Sequence, residues 1–158
     1  MTQCANPPPR PLQRYLVGKN SKLLKTVCDE VEFGTQFPGL VSDLFRIMKE
    51  NGGVGLAAPQ IGETVRVIVI KYASTFALMI NPVIIKTPGK IVTSMNEGCL
   101  SFPGLRVDRK RHKRVIVEYF DENWKKVKLD ARGLLAFIVQ HEIDHLNGIT
   151  INSEDSNA

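Results

Sequence analysis

Gly133-Leu134-Leu135-Ala136-Phe137-Ile138-Val139-Gln140-His141-Glu142-Ile143-Asp144-His145-Leu146-Asn147-Gly148 is the segment around which the rest of the chain has to be arranged. Its spacing predicts a helix from about Gly133 to Asn147, with Gly148 as the residue that stops it. The first half, Leu134 to Val139, is apolar all round, which places the helix inside the molecule with several faces covered. The second half carries His141, Glu142, Asp144 and His145 into that interior. Ionisable groups so placed are costly unless something pairs them. On a helix, His-x-x-x-His puts both imidazoles on one face, one turn apart, where they can share a metal ion. The adjacent glutamate is then placed to move protons for a water that the metal activates. This is the signature of a metal-dependent hydrolase that still lacks a third ligand.

Working outward, Leu40, Val41, Leu44, Phe45 and Met48 recur at helical spacing and predict a helix from about Gly39 to Glu50, ended by Asn51-Gly52-Gly53. Val65 to Tyr72 reads as a buried β-branched strand, and Phe76 to Ile85 as a second extended stretch with a break at Asn81-Pro82. Pro88-Gly89 marks a turn. Val115 to Phe120 and Lys125 to Leu129 flank Asp121-Glu122-Asn123-Trp124 and predict an antiparallel hairpin. The expected fold class is α+β, with mixed or antiparallel β-sheets around a central metal-binding helix.

At 158 residues and 43% hydrophobic content, the chain suits one catalytic domain, expected over residues 23–158. A flexible, basic, proline-rich arm is expected over residues 1–22. The first 28 residues hold five basic side chains, no acidic ones, and Pro7-Pro8-Pro9 and Pro11. An organelle transit peptide would be richer in serine and plainly amphipathic, which disfavours an organelle. Leu134 to Val139 is too short to cross a bilayer and the chain opens with no signal-peptide core, so a soluble, cytoplasmic protein with no membrane partner is expected. Cys4, Cys28 and Cys99 are odd in number and widely spaced, which leaves them as thiols or ligands rather than a disulfide framework. The net charge of +5 reads first as an ordinary solvated basic surface, and second as an attraction for anionic partners such as ribosomal RNA.

The third ligand can be sought by elimination. A longer protease pattern, His-Glu-x-x-His-x-x-Gly-x-x-His, is met at Gly148 but broken at Ile151. Only thirteen residues follow His145, and Glu154 lies in a short polar tail. His112 sits in Arg109-Lys110-Arg111-His112-Lys113-Arg114, whose charge opposes a further cation, and is expected on a solvated loop. Cys4 is in the proline-rich arm and Cys28 among charged residues. Cys99 is embedded in Asn96-Glu97-Gly98-Cys99-Leu100-Ser101, and a thiolate from such a loop would complete a Cys-His-His site with a fourth position open. Gly53-Val54-Gly55-Leu56-Ala57-Ala58 matches a dinucleotide fingerprint, but it follows a helix and precedes a strand, the reverse of what that motif needs. Its glycines serve either a helix-to-strand turn or the close approach of a substrate backbone, with Gln60 offering an amide.

Gly53-Val54-Gly55-Leu56-Ala57-Ala58-Pro59-Gln60, Glu97-Gly98-Cys99-Leu100-Ser101 and Gln140-His141-Glu142-Ile143-Asp144-His145 resemble, in order, the three signature motifs of the peptide deformylases, and the resemblance runs from roughly Leu23 to Gly148. It implies an enzyme that removes the N-formyl group from the initiator methionine of nascent polypeptides. Cys99, His141 and His145 would hold one divalent metal ion, Fe²⁺ in the cell with Zn²⁺ or Ni²⁺ as substitutes, and Glu142 would be the acid–base residue. The resemblance also implies that the Gln60 amide and the Leu100 backbone N–H stabilise charge on the carbonyl oxygen. Val54 and Gly55 would bond the substrate backbone, with Gly98 and Arg106 along the groove. The implied partners are N-formylmethionyl nascent peptides and, transiently, the ribosome, for a monomer with no specific nucleic acid. Ten residues follow Gly148, so the C-terminal helix with which many bacterial relatives dock on the ribosome is expected to be missing, as in short virus-encoded members that act in a host cytoplasm. Two other classes stay open: a zinc endopeptidase, which has no need of the Cys99 motif, and a basic binding module, which would leave the buried acid and histidines without purpose.

Overall fold

Val67-Ile68-Val69-Ile70 is fully buried along its whole length, and since successive strand residues point to opposite faces, both faces of this strand must be covered. They are covered by two different helices. The computed structural model describes residues 14–153. Its elements are α1 (Leu40–Glu50), β1 (Gly55–Ala57), β2 (Val67–Tyr72), β3 (Thr75–Lys86), β4 (Ile91–Cys99), β5 (Phe102–His112), β6 (Arg114–Phe120), β7 (Lys126–Arg132) and α2 (Leu134–Leu146). Val67 and Val69 share a cluster with Leu40, Leu44 and Ile47 of α1, whereas Ile68 and Ile70 share one with Ala136, Val139 and Ile143 of α2.

The strands form one sheet in the order β1-β2-β3-β6-β7 and a separate ribbon of β4 and β5, and every strand pairing is antiparallel. The fold class is α+β, with antiparallel sheets wrapped on the central α2. The predicted helices begin one residue later than expected, because Gly39 and Gly133 stand as their N-caps. At the other end of α2, Arg66 donates to the Leu146 carbonyl at 3.1 Å, a cation placed where the helix dipole favours one. The expected break at Asn81-Pro82 is a bulge inside a continuous strand: register shifts between Ile80 and Val83, and Asn81 takes a left-handed φ of 51°. Its side chain bonds the N–H and C=O of Val31 at 2.9 and 2.8 Å, anchoring the chain before α1.

The β4–β5 ribbon was not among the expected strands. Cys99 is the last residue of β4, at a tight Leu100-Ser101 turn, and His112 ends β5 rather than lying on a solvated loop. Gln140 of α2 holds that end, accepting from His112 N at 2.9 Å and donating to its carbonyl at 2.8 Å. Arg109 donates to the carbonyls of Thr150 and Ser153 at 2.7 and 3.2 Å, and Ile151 packs with Leu24 and Phe102. The start of the described chain is also tied down. Arg14 bonds Glu63 at 2.7 Å and Asp43 at 3.3 Å, and Val17 N donates to the Gln60 carbonyl at 2.9 Å. Of the arm expected over residues 1–22, residues 1–13 lie outside the described residues, as do Cys4 and Glu154. No helix among the described residues is long and apolar enough to cross a membrane.

Candidate metal centre and active site

Helical spacing brings the rings of His141 and His145 to a centroid distance of 5.0 Å, inclined at 72°. The end of β4 brings Cys99 to them, with Sγ 3.3 Å from His145 Nε2. One ligand atom from each of the three lies within 4.8 Å of the others. A soft sulfur with two imidazole nitrogens is a donor set for a divalent transition metal. A second observation fits a cation here: Oε2 of the neighbouring Glu142 is buried without a hydrogen-bond partner.

The surroundings set the charge of each group. Burial is the main influence on Glu142, raising its carboxyl to about 7. Burial likewise holds His145 well below the usual imidazole range, with His141 and Arg111 adding to the effect. For His141 burial pulls downward, but the Cys99 thiol and the Glu97 carboxylate outweigh it and lift the ring to about 10, so metal uptake there has a proton to displace. Oε1 of Glu97 lies 2.9 Å from His141 Nδ1 and also takes a bond from Arg111. Arg111 bonds Glu97 Oε2 at 3.1 Å and Asp144 at 2.5 Å, and is 6% exposed. Burial opposes ionisation of Glu97, yet the bonds from His141 and Arg111 hold it at about 2. A carboxylate on the outer nitrogen of a ligand histidine fixes the ring's orientation.

Sequence reasoning missed this Glu97–Arg111–Asp144 network. The one signal for it was strand alternation in Arg109-Lys110-Arg111, where the two arginines point inward and Lys110 outward.

The site opens on a cleft of about 550 Å³. Val54, Gly55, Gln60, Gly98, Cys99, Leu100, Arg106, His141 and Glu142 all line it, while His145 lies behind the wall, 1% exposed. Met95, Leu134 and Phe137 add an apolar side, which explains why the first half of α2 is apolar all round: part of it faces the sheet and part the cleft. Gln60 is locked, its Oε1 accepting from Ala57 N at 3.0 Å and its Nε2 donating to Ser101 Oγ at 3.0 Å and towards Cys99 Sγ at 3.4 Å. Two glycines make room for site residues rather than for an open turn. A β-carbon on Gly55 would stand 2.6 Å from Glu142 Oε1, and one on Gly98 would coincide with the Arg106 guanidinium.

An α+β fold that sets a His-Glu-x-x-His helix against a cysteine at a hairpin turn, beside a cleft, defines a class of metal-dependent hydrolases. The family model described as Polypeptide deformylase matches residues 14–157. The chain belongs to the peptide deformylase family, metal-dependent enzymes that remove the formyl group from the N-formylmethionine of nascent peptides. A peptide deformylase of Treponema pallidum (strain Nichols) is 46% identical over 127 residues, which span 80% of this chain and 78% of the relative. One from Dictyoglomus turgidum is 42% identical over 130 residues, spanning 82% and 84%. Among solved structures, the PDF of the Vibrio parahaemolyticus bacteriophage VP16T in complex with actinonin superposes with a TM-score of 0.83 at 40% identity, covering 86% of this chain and 98% of that one. The Synechococcus elongatus peptide deformylase in complex with actinonin gives 0.81 at 35% identity, covering 94% and 79%.

Proposed function

We propose that Cys99, His141 and His145 hold one divalent ion and that the cleft beside them takes the N-formylmethionyl end of a nascent peptide, releasing formate. The observation that carries this reading is the convergence of one thiol and two imidazoles within 4.8 Å, with Cys99 and His141 on a cleft wall shared with Glu142 and Gln60 and His145 just behind it. By analogy with the family the ion in the cell is Fe²⁺, and Zn²⁺ or Ni²⁺ suits the same donors. The chemistry a bound ion supplies is Lewis acidity towards a water and the formyl carbonyl. Glu142 takes the proton from that water as its oxygen bonds the formyl carbon. It then delivers the proton to the amine as the C–N bond breaks. Burial raises the Glu142 carboxyl above the usual carboxylate range, which strengthens it as a proton acceptor for the first step while it still gives the proton up to the amine in the second.

In this reading the Gln60 N–H now directed at Cys99 Sγ and the Leu100 backbone N–H face the carbonyl oxygen as it gains negative charge. Among the described residues β1 pairs only with β2, which leaves the other edge of the Val54–Gly55 backbone to bond an extended substrate. Met95, Leu134 and Phe137 surround the methionine side chain, and Arg106, lying over Gly98, borders the groove.

The same proposal makes residues 23–158 one catalytic domain, acting as a cytoplasmic monomer with transient ribosome contact. The test is formate release from formyl-Met-Ala-Ser by anaerobic, iron-loaded protein, which a chelator should abolish. No release overturns the reading, and cleavage of unformylated peptides instead would make the protein an endopeptidase.

A further inference from the structure

A second depression, of about 300 Å³, lies where the β3–β4 turn, the β5–β6 junction and the end of β7 meet the start of α2. Lys90, Lys113, Arg114 and Arg132 line it. Asp130 is the one carboxylate bonded to them among the described residues, receiving 2.8 Å bonds from Arg114 and a 2.9 Å bond from Arg132. It holds the two guanidinium groups side by side but neutralises only one charge. Lys90 and Lys113 are exposed and enter no ion pair among the described residues. Crowding like charges around one hollow is unfavourable, and an anion in the hollow relieves it. α2 contributes in the same direction. Gly133, which also lines the hollow, offers no side chain to cap the first-turn amides, and a helix start carries partial positive charge.

A carboxylate would be satisfied by one of these guanidinium groups. Four cations from three segments, spread around an open hollow, match successive phosphates along a strand. The hollow adjoins the catalytic cleft, because Gly133 lines one and Leu134 the other. An occupant there stands beside the entering substrate, and a nascent chain arrives attached to an RNA-rich particle.

We propose that this hollow binds the phosphodiester backbone of RNA without reading its sequence. The choice of RNA among polyanions rests on the deformylase reading, whereas binding itself does not, and the assay below reads binding without turnover. The complete protein is titrated into a fluorescein-labelled RNA hairpin at several salt concentrations between about 50 and 200 mM. Lys90→Gln/Lys113→Gln is compared with Lys49→Gln/Lys71→Gln, which makes the same charge change at exposed positions that do not line the hollow. The first pair should weaken binding about tenfold and reduce the slope of log K against log salt by about 2, one per lysine. The second pair should stay near wild type, and release of formate from free formyl-Met-Ala-Ser should be the same in all three proteins. Equal loss in both double variants would reduce the hollow to diffuse surface charge and overturn the proposal. So would an unmeasurable wild-type affinity, or displacement of the RNA by an acidic peptide of equal charge.

Discussion

Glu142 and Gly55 work as one unit, since the carboxylate occupies the space in which a side chain at position 55 would sit. In the proposed mechanism the acid is a proton carrier and the glycine is its seat, and each role can be tested separately. Glu142→Ala should retain its metal, because the three donors are untouched, yet lose about 10²–10⁴ in turnover. Metal analysis beside formate release checks this, and near-normal turnover would remove Glu142 from the role. Gly55→Ala puts a methyl group 2.6 Å from Oε1, so the acid must move while the donors stay. A displacement of about 1 Å costs on the order of 10² in rate, and we expect that loss in kcat at unchanged metal content. If Gly55→Ala instead loses its metal with its activity, the glycine serves the fold and not the acid.

Between elements, the decisive contacts are polar and join segments far apart in sequence. Glu97 of β4 orients His141 of α2, and Arg111 of β5 bonds both Glu97 and Asp144 of α2. Glu97→Gln keeps the shape but loses the charge, and metal affinity should fall about 10–100-fold, measured by competition with a chelator. Unchanged affinity would make the pair merely structural. On the far side of the molecule, Asp43 of α1 is bonded by Arg46 at 3.1 Å and by Arg14 at 3.3 Å, which ties the start of the described chain to α1. Burial pushes the Asp43 carboxyl up, but these arginines outweigh it and hold it below the usual carboxylate range. A carboxyl lowered in the folded state contributes stability above its unfolded value and loses it as the pH falls through the folded one. The gap in urea midpoint between the wild type and Asp43→Asn should therefore be widest at neutral pH and shrink in acid. A gap that does not change with pH would show that the bonds to Asp43 carry no charge dependence.

Across the whole molecule, periodicity made visible what packs and hid what pairs. Helices α1 and α2, the strand at Val67 and the hairpin at Asp121 were legible because apolar residues mark their buried faces. The residues singled out as the candidate site also lie around one cleft, since the His-Glu-x-x-His spacing and the local context of Cys99 point to it without tertiary knowledge. The β4–β5 ribbon was not legible, because Arg109 and Arg111 face inward among Lys110 and other cations facing outward, and their partners, the Thr150 and Ser153 carbonyls for Arg109 and the Glu97 and Asp144 carboxylates for Arg111, are distant in sequence. Among the described residues that ribbon pairs with no other strand, and a two-stranded ribbon is marginal on its own. Its hold on α2 includes the Gln140 and Arg111 bonds, the Glu97–His141 bond, and the three convergent donors, one on the ribbon and two on the helix. An ion bound there joins ribbon to helix only in the folded state, so it should stabilise by mass action. At a thousandfold excess over Kd the gain is about 4 kcal/mol. For a domain of this size each kcal/mol is worth about 2–4 °C, so chelation should lower Tm by about 8–16 °C. Amide exchange should rise most in β4 and β5, which the ion fastens, and least in β2, which is buried on both faces. Cys99→Ser should bring the metal-supplemented Tm down towards that of the chelated wild type and leave little further effect of chelator. A wild-type Tm indifferent to chelator would mean that the three donors are not joined by a metal, whatever their distances.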